Sequence, residues 1–162
     1  MKDSLIYVVE DNKVYNKLVV GYFNKNGFPN VKSFFSGKDC VREVKNGEQP
    51  EIIIQDYYMD EMNGIEVLKR VKKLSPKTEF IFLTGNESTE VAVNSMKYGA
   101  YDYIIKDEVA LDKANDKIQK ILNVKQLKRK NKTIKKYMIV TVVILVIIVL
   151  FSILLYGFNI FN

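Results

Sequence analysis

The 162-residue chain contains no histidine and only one cysteine, Cys40. Without histidine there is no imidazole base, no imidazole metal ligand and no phosphohistidine carried by the chain itself. A lone cysteine makes no internal disulfide, which suits a reducing compartment. Acid is missing from one end. All 19 acidic residues lie at or before Asp116, residues 117–136 carry nine basic groups, and no charge follows Lys136. Residues 1–116 thus hold 16 basic against 19 acidic groups, and the overall +6 belongs to the tail. A basic excess confined to a tail argues against a nucleic-acid binder. No charged stretch followed by a short apolar run opens the sequence, so no N-terminal signal peptide is expected.

What the tail has instead is an uncharged run. Residues 138–155 read MIVTVVILVIIVLFSILL, with Thr141 and Ser152 as the sole hydroxyl residues, Tyr137 before it and Tyr156, Phe158 and Phe161 after it. At about 1.5 Å per residue, 18 helical residues span roughly 27 Å, close to a hydrocarbon core. No soluble strand needs such length. A transmembrane helix is therefore expected over 138–158, followed by a short tail at 159–162. Lys125, Lys128, Arg129, Lys130, Lys132, Lys135 and Lys136 form a basic juxtamembrane linker over 125–137. Their side of the span predicts a cytoplasmic N-terminal part on the inner face of the cell membrane, with the linker on lipid headgroups. The span offers few small residues and no GxxxG pattern, so no dimerisation signature is read from it.

Upstream, short apolar runs alternate with amphipathic stretches. Runs 5–9, 31–35, 52–54, 80–83 and 103–105 read as strands. Val14, Leu18, Val19, Tyr22 and Phe23 follow helical spacing, as do Ile65, Leu68, Val71 and Leu74. Gly27 and Pro29 end the first helix, Pro76 follows the third and Gly99 closes the fourth. Five strands alternating with five helices predict an α/β fold, a doubly wound parallel sheet with right-handed crossovers. The fifth helix, from about Val109, meets no glycine or proline before Gly157. It either runs straight through the basic linker or breaks near Asn123 or Asn131.

Each apolar run ends on a polar residue. Glu10 and Asp11 follow the first, Asp56 the third, Thr84 the fourth and Lys106 the fifth. In an open parallel sheet the C-terminal strand ends form one rim, where ligands bind. Three carboxylates on that rim repel one another unless a cation is present. Magnesium, with its preference for oxygen ligands, resolves this. Each residue also has a plain reading. Glu10 and Asp11 suit helix capping, Asp56 a loop beside Asn63-Gly64, Thr84 an N-cap, Lys106 a solvated side chain and Tyr103 a half-buried strand aromatic.

In order and identity these residues resemble a response-regulator receiver domain. The acidic pair Glu10-Asp11, Asp56 within IIIQDYYMDEMNG, Thr84-Gly85 within FLTGN, and Tyr103 and Lys106 within AYDYIIKD carry the resemblance, over about residues 4–124. It implies a flavodoxin-like (βα)5 fold with strand order 2-1-3-4-5, a receiver domain over 1–124, and phosphorylation of Asp56 by a histidine kinase or phosphotransfer protein. It further implies Mg2+ on Glu10, Asp11, Asp56 and the Tyr58 carbonyl, with Thr84 and Lys106 assisting transfer. Thr84 and Tyr103 would be switch residues, and the helix 4, strand 5 and helix 5 face would meet a downstream protein. The only chemistry implied for the chain alone is self-phosphorylation and self-dephosphorylation. Three positions depart from the pattern: Asp107 follows Lys106 where proline is usual, Asp60 replaces a frequent proline, and Tyr58 is bulky. A degenerate receiver serving as a membrane-tethered binding module is the competing expectation.

Overall fold

The computed structural model describes residues 4–85 and 87–160, with side chains as far as Leu150. Ten elements alternate: β1 (Ile6–Val9), α1 (Lys13–Lys25), β2 (Val31–Phe34), α2 (Gly37–Lys45), β3 (Ile52–Gln55), α3 (Gly64–Leu74), β4 (Glu79–Thr84), α4 (Thr89–Lys97), β5 (Asp102–Ile105) and α5 (Ala110–Ile160). The five strands pair in parallel in the order β2-β1-β3-β4-β5. This is the flavodoxin-like arrangement expected from the sequence. The strands begin and end within a residue or so of the anticipated runs.

Alternation along the strands sends side chains to two cores. Ile6, Val8, Ile54, Ile81, Leu83 and Ile104 pack with Val19 and Phe23 of α1 and with Ala110, Ala114, Ile118, Ile121 and Leu122 of α5. Tyr7, Val9, Ile53, Phe80 and Phe82 pack with Cys40 and Val44 of α2 and with Val67, Leu68 and Val71 of α3. Burial on both faces is why these strands read as continuous apolar runs rather than alternating ones.

Each crossover helix from α1 to α4 opens on a short polar cap. The caps are Asn12, Ser36, Asn63 and Ser88, whose side chains accept backbone N–H bonds from the first turn. Glu10, Asp11 and Thr84 are therefore released from the capping role that their sequence positions allowed. Two amphipathic faces differ from expectation, in α3 only at its last residue, Leu74, which is exposed. In α1 the buried residues are Asn16, Val19 and Phe23, whereas Val14 and Leu18 are exposed.

The chain divides into two compact units, 1–122 and 123–162. Asn123 and Asn131 are helical residues of α5, so neither breaks it. Within α5 a window of 18 residues has a mean hydropathy of 2.4, and it is the one helix among the described residues long and apolar enough to cross a membrane. Residues 161–162 of the anticipated tail, and the side chains of 151–158 of the anticipated span, lie outside the described residues.

Candidate functional site

The register of the sheet brings the C-terminal strand ends to one edge, with β4 and β5 running two residues past the level of β1 and β3. Val9 pairs with Phe34 and Gln55, Gln55 with Phe82, and Thr84 with Ile105. Backbone bonds continue one residue past the strands: Glu10 N–H donates to the Phe34 carbonyl at 3.1 Å, Asp56 N–H to Val9 at 2.9 Å and Lys106 N–H to Thr84 at 2.9 Å. Residues far apart in sequence thus meet at one edge.

Carboxylate oxygens of Glu10, Asp11 and Asp56 lie within 4.8 Å of one another. Glu10 and Asp56 are buried, at 4% and 8% exposure. The Lys106 ammonium reaches both, with Nζ 2.6 Å from Glu10 Oε2 and 3.0 Å from Asp56 Oδ2. Asp56 Oδ1 accepts the Tyr57 N–H at 2.6 Å, and Glu10 Oε1 accepts the Asn12 N–H at 3.3 Å. Burial holds the Glu10 carboxyl above its ordinary pKa, with the charge of Asp56 adding to the rise, and this outweighs the opposing bond from Lys106. Burial works to lower the Lys106 pKa, but the bonds to Glu10 and Asp56 carry it above the usual lysine value. A single ammonium against three carboxylates leaves the cluster short of positive charge. That donor set, all hard oxygens on short side chains, fits a small divalent cation.

The remaining expected residues sit around this cluster. Thr84 is fully buried at the end of β4, and Gly85 follows it on the exposed side. Tyr103 on β5 stacks on Phe82 with ring centroids 6.1 Å apart. Its hydroxyl is pushed up to about 12, first by burial and then by Tyr57, Tyr58 and Asp56 nearby. Tyr58 is 63% exposed and packs edge-on against Tyr57, with centroids 4.9 Å apart. The peptide joining Lys106 to Asp107 is trans, and the lysine still reaches Asp56.

Several residues with a part in this geometry escaped the sequence reading. Asn16, 1% exposed, donates through Nδ2 to the carbonyls of Glu10 at 3.1 Å and Phe34 at 3.0 Å, tying α1 to two strand ends. Its signal was a polar residue in register with Val19 and Phe23 on the buried stripe. Gln55, fully buried, donates to the Asp56 carbonyl at 2.7 Å and fixes the turn out of β3. Gly64 lets α3 start against that same turn, because a Cβ there would lie 2.5 Å from the Asp56 carbonyl oxygen and 2.6 Å from the Phe82 ring. Tyr15 places its ring 4.4 Å from the Lys106 ammonium.

Comparison with known proteins agrees with this arrangement. A family model for the response regulator receiver domain matches residues 6–119. The transcriptional regulatory protein ZraR of Salmonella typhimurium is 32% identical over 117 residues, covering 72% of this chain and 26% of that protein. The chemotaxis protein CheY of Bacillus subtilis is 28% identical over 118 residues, 73% of this chain and 97% of that protein. The chain therefore spans about a quarter of the transcriptional regulator's length but nearly all of the chemotaxis protein's. Among solved structures, a CheY-like receiver domain protein from Methanospirillum hungatei superposes with a TM-score of 0.71 at 24% identity, covering 77% of this chain and 98% of that one. With its family match over most of the (βα)5 unit, the chain belongs to the response-regulator receiver family of two-component signalling.

Proposed function

We propose that the chain is a membrane-anchored phosphoacceptor that takes a phosphoryl group onto Asp56 from a histidine kinase or phosphotransfer protein. The observation that carries this reading is the Lys106 ammonium bridging Glu10 and Asp56 beside Asp11. In the proposed step an Asp56 carboxylate oxygen bonds to phosphorus as the phosphorus–nitrogen bond of the donor's phosphohistidine breaks, and the imidazole nitrogen keeps the electron pair. Mg2+, when bound by Glu10, Asp11, Asp56 and the Tyr58 carbonyl, supplies charge neutralisation for the transferring oxygens. The Lys106 ammonium adds positive charge at Asp56, and the Thr84 hydroxyl and Gly85 amide are placed in the reading as hydrogen-bond donors.

The output surface is the face of α4, β5 and the start of α5. Val93 and Met96 of α4, Tyr101 and Ile105 beside and on β5, and Val109 before α5 are exposed on these elements, apolar area suited to a protein partner. Thr84 and Tyr103, both close to Asp56 and next to that face, are the proposed switch residues. In this reading the receiver sits at the cytoplasmic face of the cell membrane, with domain limits of 1–124, 125–137, 138–158 and 159–162, and the basic segment before the apolar run supports that orientation.

The test is the intact mass of the full chain in detergent micelles with magnesium and acetyl phosphate, beside its Asp56→Asn variant. A gain of about 80 Da that the variant lacks supports the reading. No gain, and partner binding indifferent to Asp56→Asn, returns the chain to a tethered binding module, the outcome that Asp107, Asp60 and Tyr58 would favour.

A further inference from the structure

Lys106 follows the last residue of β5, and the residue after it is Asp107 rather than a proline. Asp107 is committed to starting α5. Its Oδ1 accepts the Val109 N–H at 3.0 Å, its Oδ2 accepts from Lys113 Nζ at 2.7 Å, and its carbonyl accepts the Ala110 N–H at 3.2 Å. The lysine is a flexible four-carbon stem with three N–H donors at its tip. Glu10 and Asp56 account for two directions of contact.

The third comes from α1. The Tyr15 ring lies with its centroid 4.4 Å from Lys106 Nζ, within the range of a cation held against an aromatic face. Tyr15 is itself unusually well anchored. Its backbone N–H donates to the Asn12 side chain at 3.1 Å. The neighbouring Asn16 is bonded to the ends of β1 and β2. The helix turn that carries the ring is therefore capped by Asn12 and tied through Asn16 to the rim that carries the carboxylates.

We infer that Tyr15 is a positioning residue for Lys106, its ring holding the ammonium over Glu10 and Asp56 in a loop that lacks proline after the lysine. Its role is electrostatic, through the negative face of the ring, and its hydroxyl takes no part. The alternative is plain packing, since Tyr15 also borders the core formed with α1 and α5. Substitution separates the two. Leucine fills space without a π face, whereas phenylalanine keeps the face and drops the hydroxyl.

The experiment uses the full chain in detergent micelles, carrying 13C-labelled lysine, with the Lys106 signals assigned by loss in Lys106→Arg. In the wild type and in Tyr15→Phe, the Lys106 Cε protons are shifted upfield by the ring, and in Tyr15→Leu that shift is gone. The rate of phosphorylation by acetyl phosphate at saturating magnesium falls about fivefold in Tyr15→Leu, equivalent to roughly 1 kcal/mol at tenfold per 1.4 kcal/mol, while Tyr15→Phe retains the wild-type rate. Magnesium affinity does not fall in Tyr15→Leu, because the carboxylates remain in place, and this separates lost positioning from a damaged fold. Lys106 signals and rate unchanged in Tyr15→Leu would overturn the inference, as would a Tyr15→Phe variant as slow as Tyr15→Leu. The rate readout rests on phosphorylation of Asp56. Should the wild type form no adduct, that reading fails by itself, and the ring-current shift still decides the role of Tyr15.

Discussion

At the scale of single residues, burial in an apolar core with no charged partner keeps the one thiol inert. Cys40 is fully buried in the core under α2, and its thiol is pushed up to about 12 by that burial. A thiol-reactive maleimide at neutral pH should leave the folded chain unlabelled and label it fully in denaturant, as read by mass. The same burial fixes a pH dependence. The unfolded thiol ionises near its ordinary value of 9.0, the folded one near 12, so the folded state binds the proton more tightly. This contribution to stability is complete below about pH 9 and is lost as pH rises toward 12. Denaturation midpoints should therefore fall more steeply above pH 9 in the wild type than in Cys40→Ala.

Tyr58 shows the opposite situation, an aromatic ring left open beside the acceptor. It lies two residues past Asp56 and edge-on to Tyr57, and on the proposed function its ring would shield an acyl phosphate from water. We expect Tyr58→Ala to lose its phosphoryl group roughly threefold faster than the wild type, about 0.7 kcal/mol of barrier, in a time course of intact mass. A loss no faster than wild type would remove Tyr58 from the account.

Among elements, the contact that matters most to the site is where α3 begins. Gly64 N–H donates to the Tyr57 carbonyl at 3.0 Å, and the helix start presses on the Asp56 peptide and the Phe82 ring. Both neighbours are hard to move, because one is backbone and the other a fully buried ring. Gly64→Ala should cost about 1–3 kcal/mol in urea unfolding and should slow phosphorylation by displacing the turn that carries Asp56. Gly37 meets a similar limit, with an added Cβ falling 2.4 Å from the Val67 side chain where α2 passes α3. Val67 is a side chain rather than backbone, so Gly37→Ala should perturb packing while leaving the acceptor turn in place.

For the whole molecule, charge and hydropathy are sorted along the chain. A slightly acidic receiver precedes nine basic residues and then an uncharged run. We expect the full chain to remain with membranes through a high-salt wash and a chain truncated after residue 136 to be released by it. The truncated form should still bind vesicles rich in phosphatidylserine at low salt, and should lose about 1 kcal/mol of that binding for each linker lysine changed to glutamine. Equal recovery of both chains in the soluble fraction would refute the anchor.

Much of this was legible in the order of residues, because its causes are local. Ile52-Ile53-Ile54 and Phe80-Ile81-Phe82-Leu83 announce strands buried on both faces, and the polar residues closing the runs announce a rim. The apolar tail is likewise a property of composition, so sequence alone settles its length and lack of charge. What the sequence left open were contacts whose partners are distant along the chain. Val14 and Leu18 have the spacing of a buried stripe, yet α1 buries Asn16 with Val19 and Phe23 instead. No local pattern pairs Tyr15 with Lys106, 91 positions away, or aims that ammonium at Glu10 and Asp56 together. The sheet register decides the second of these, because parallel pairing sets Val9 beside Gln55 and Thr84 beside Ile105, so that Glu10, Asp56 and Lys106 leave their strands at one edge whatever the length of the crossovers; the packing of α1 on the sheet decides the first.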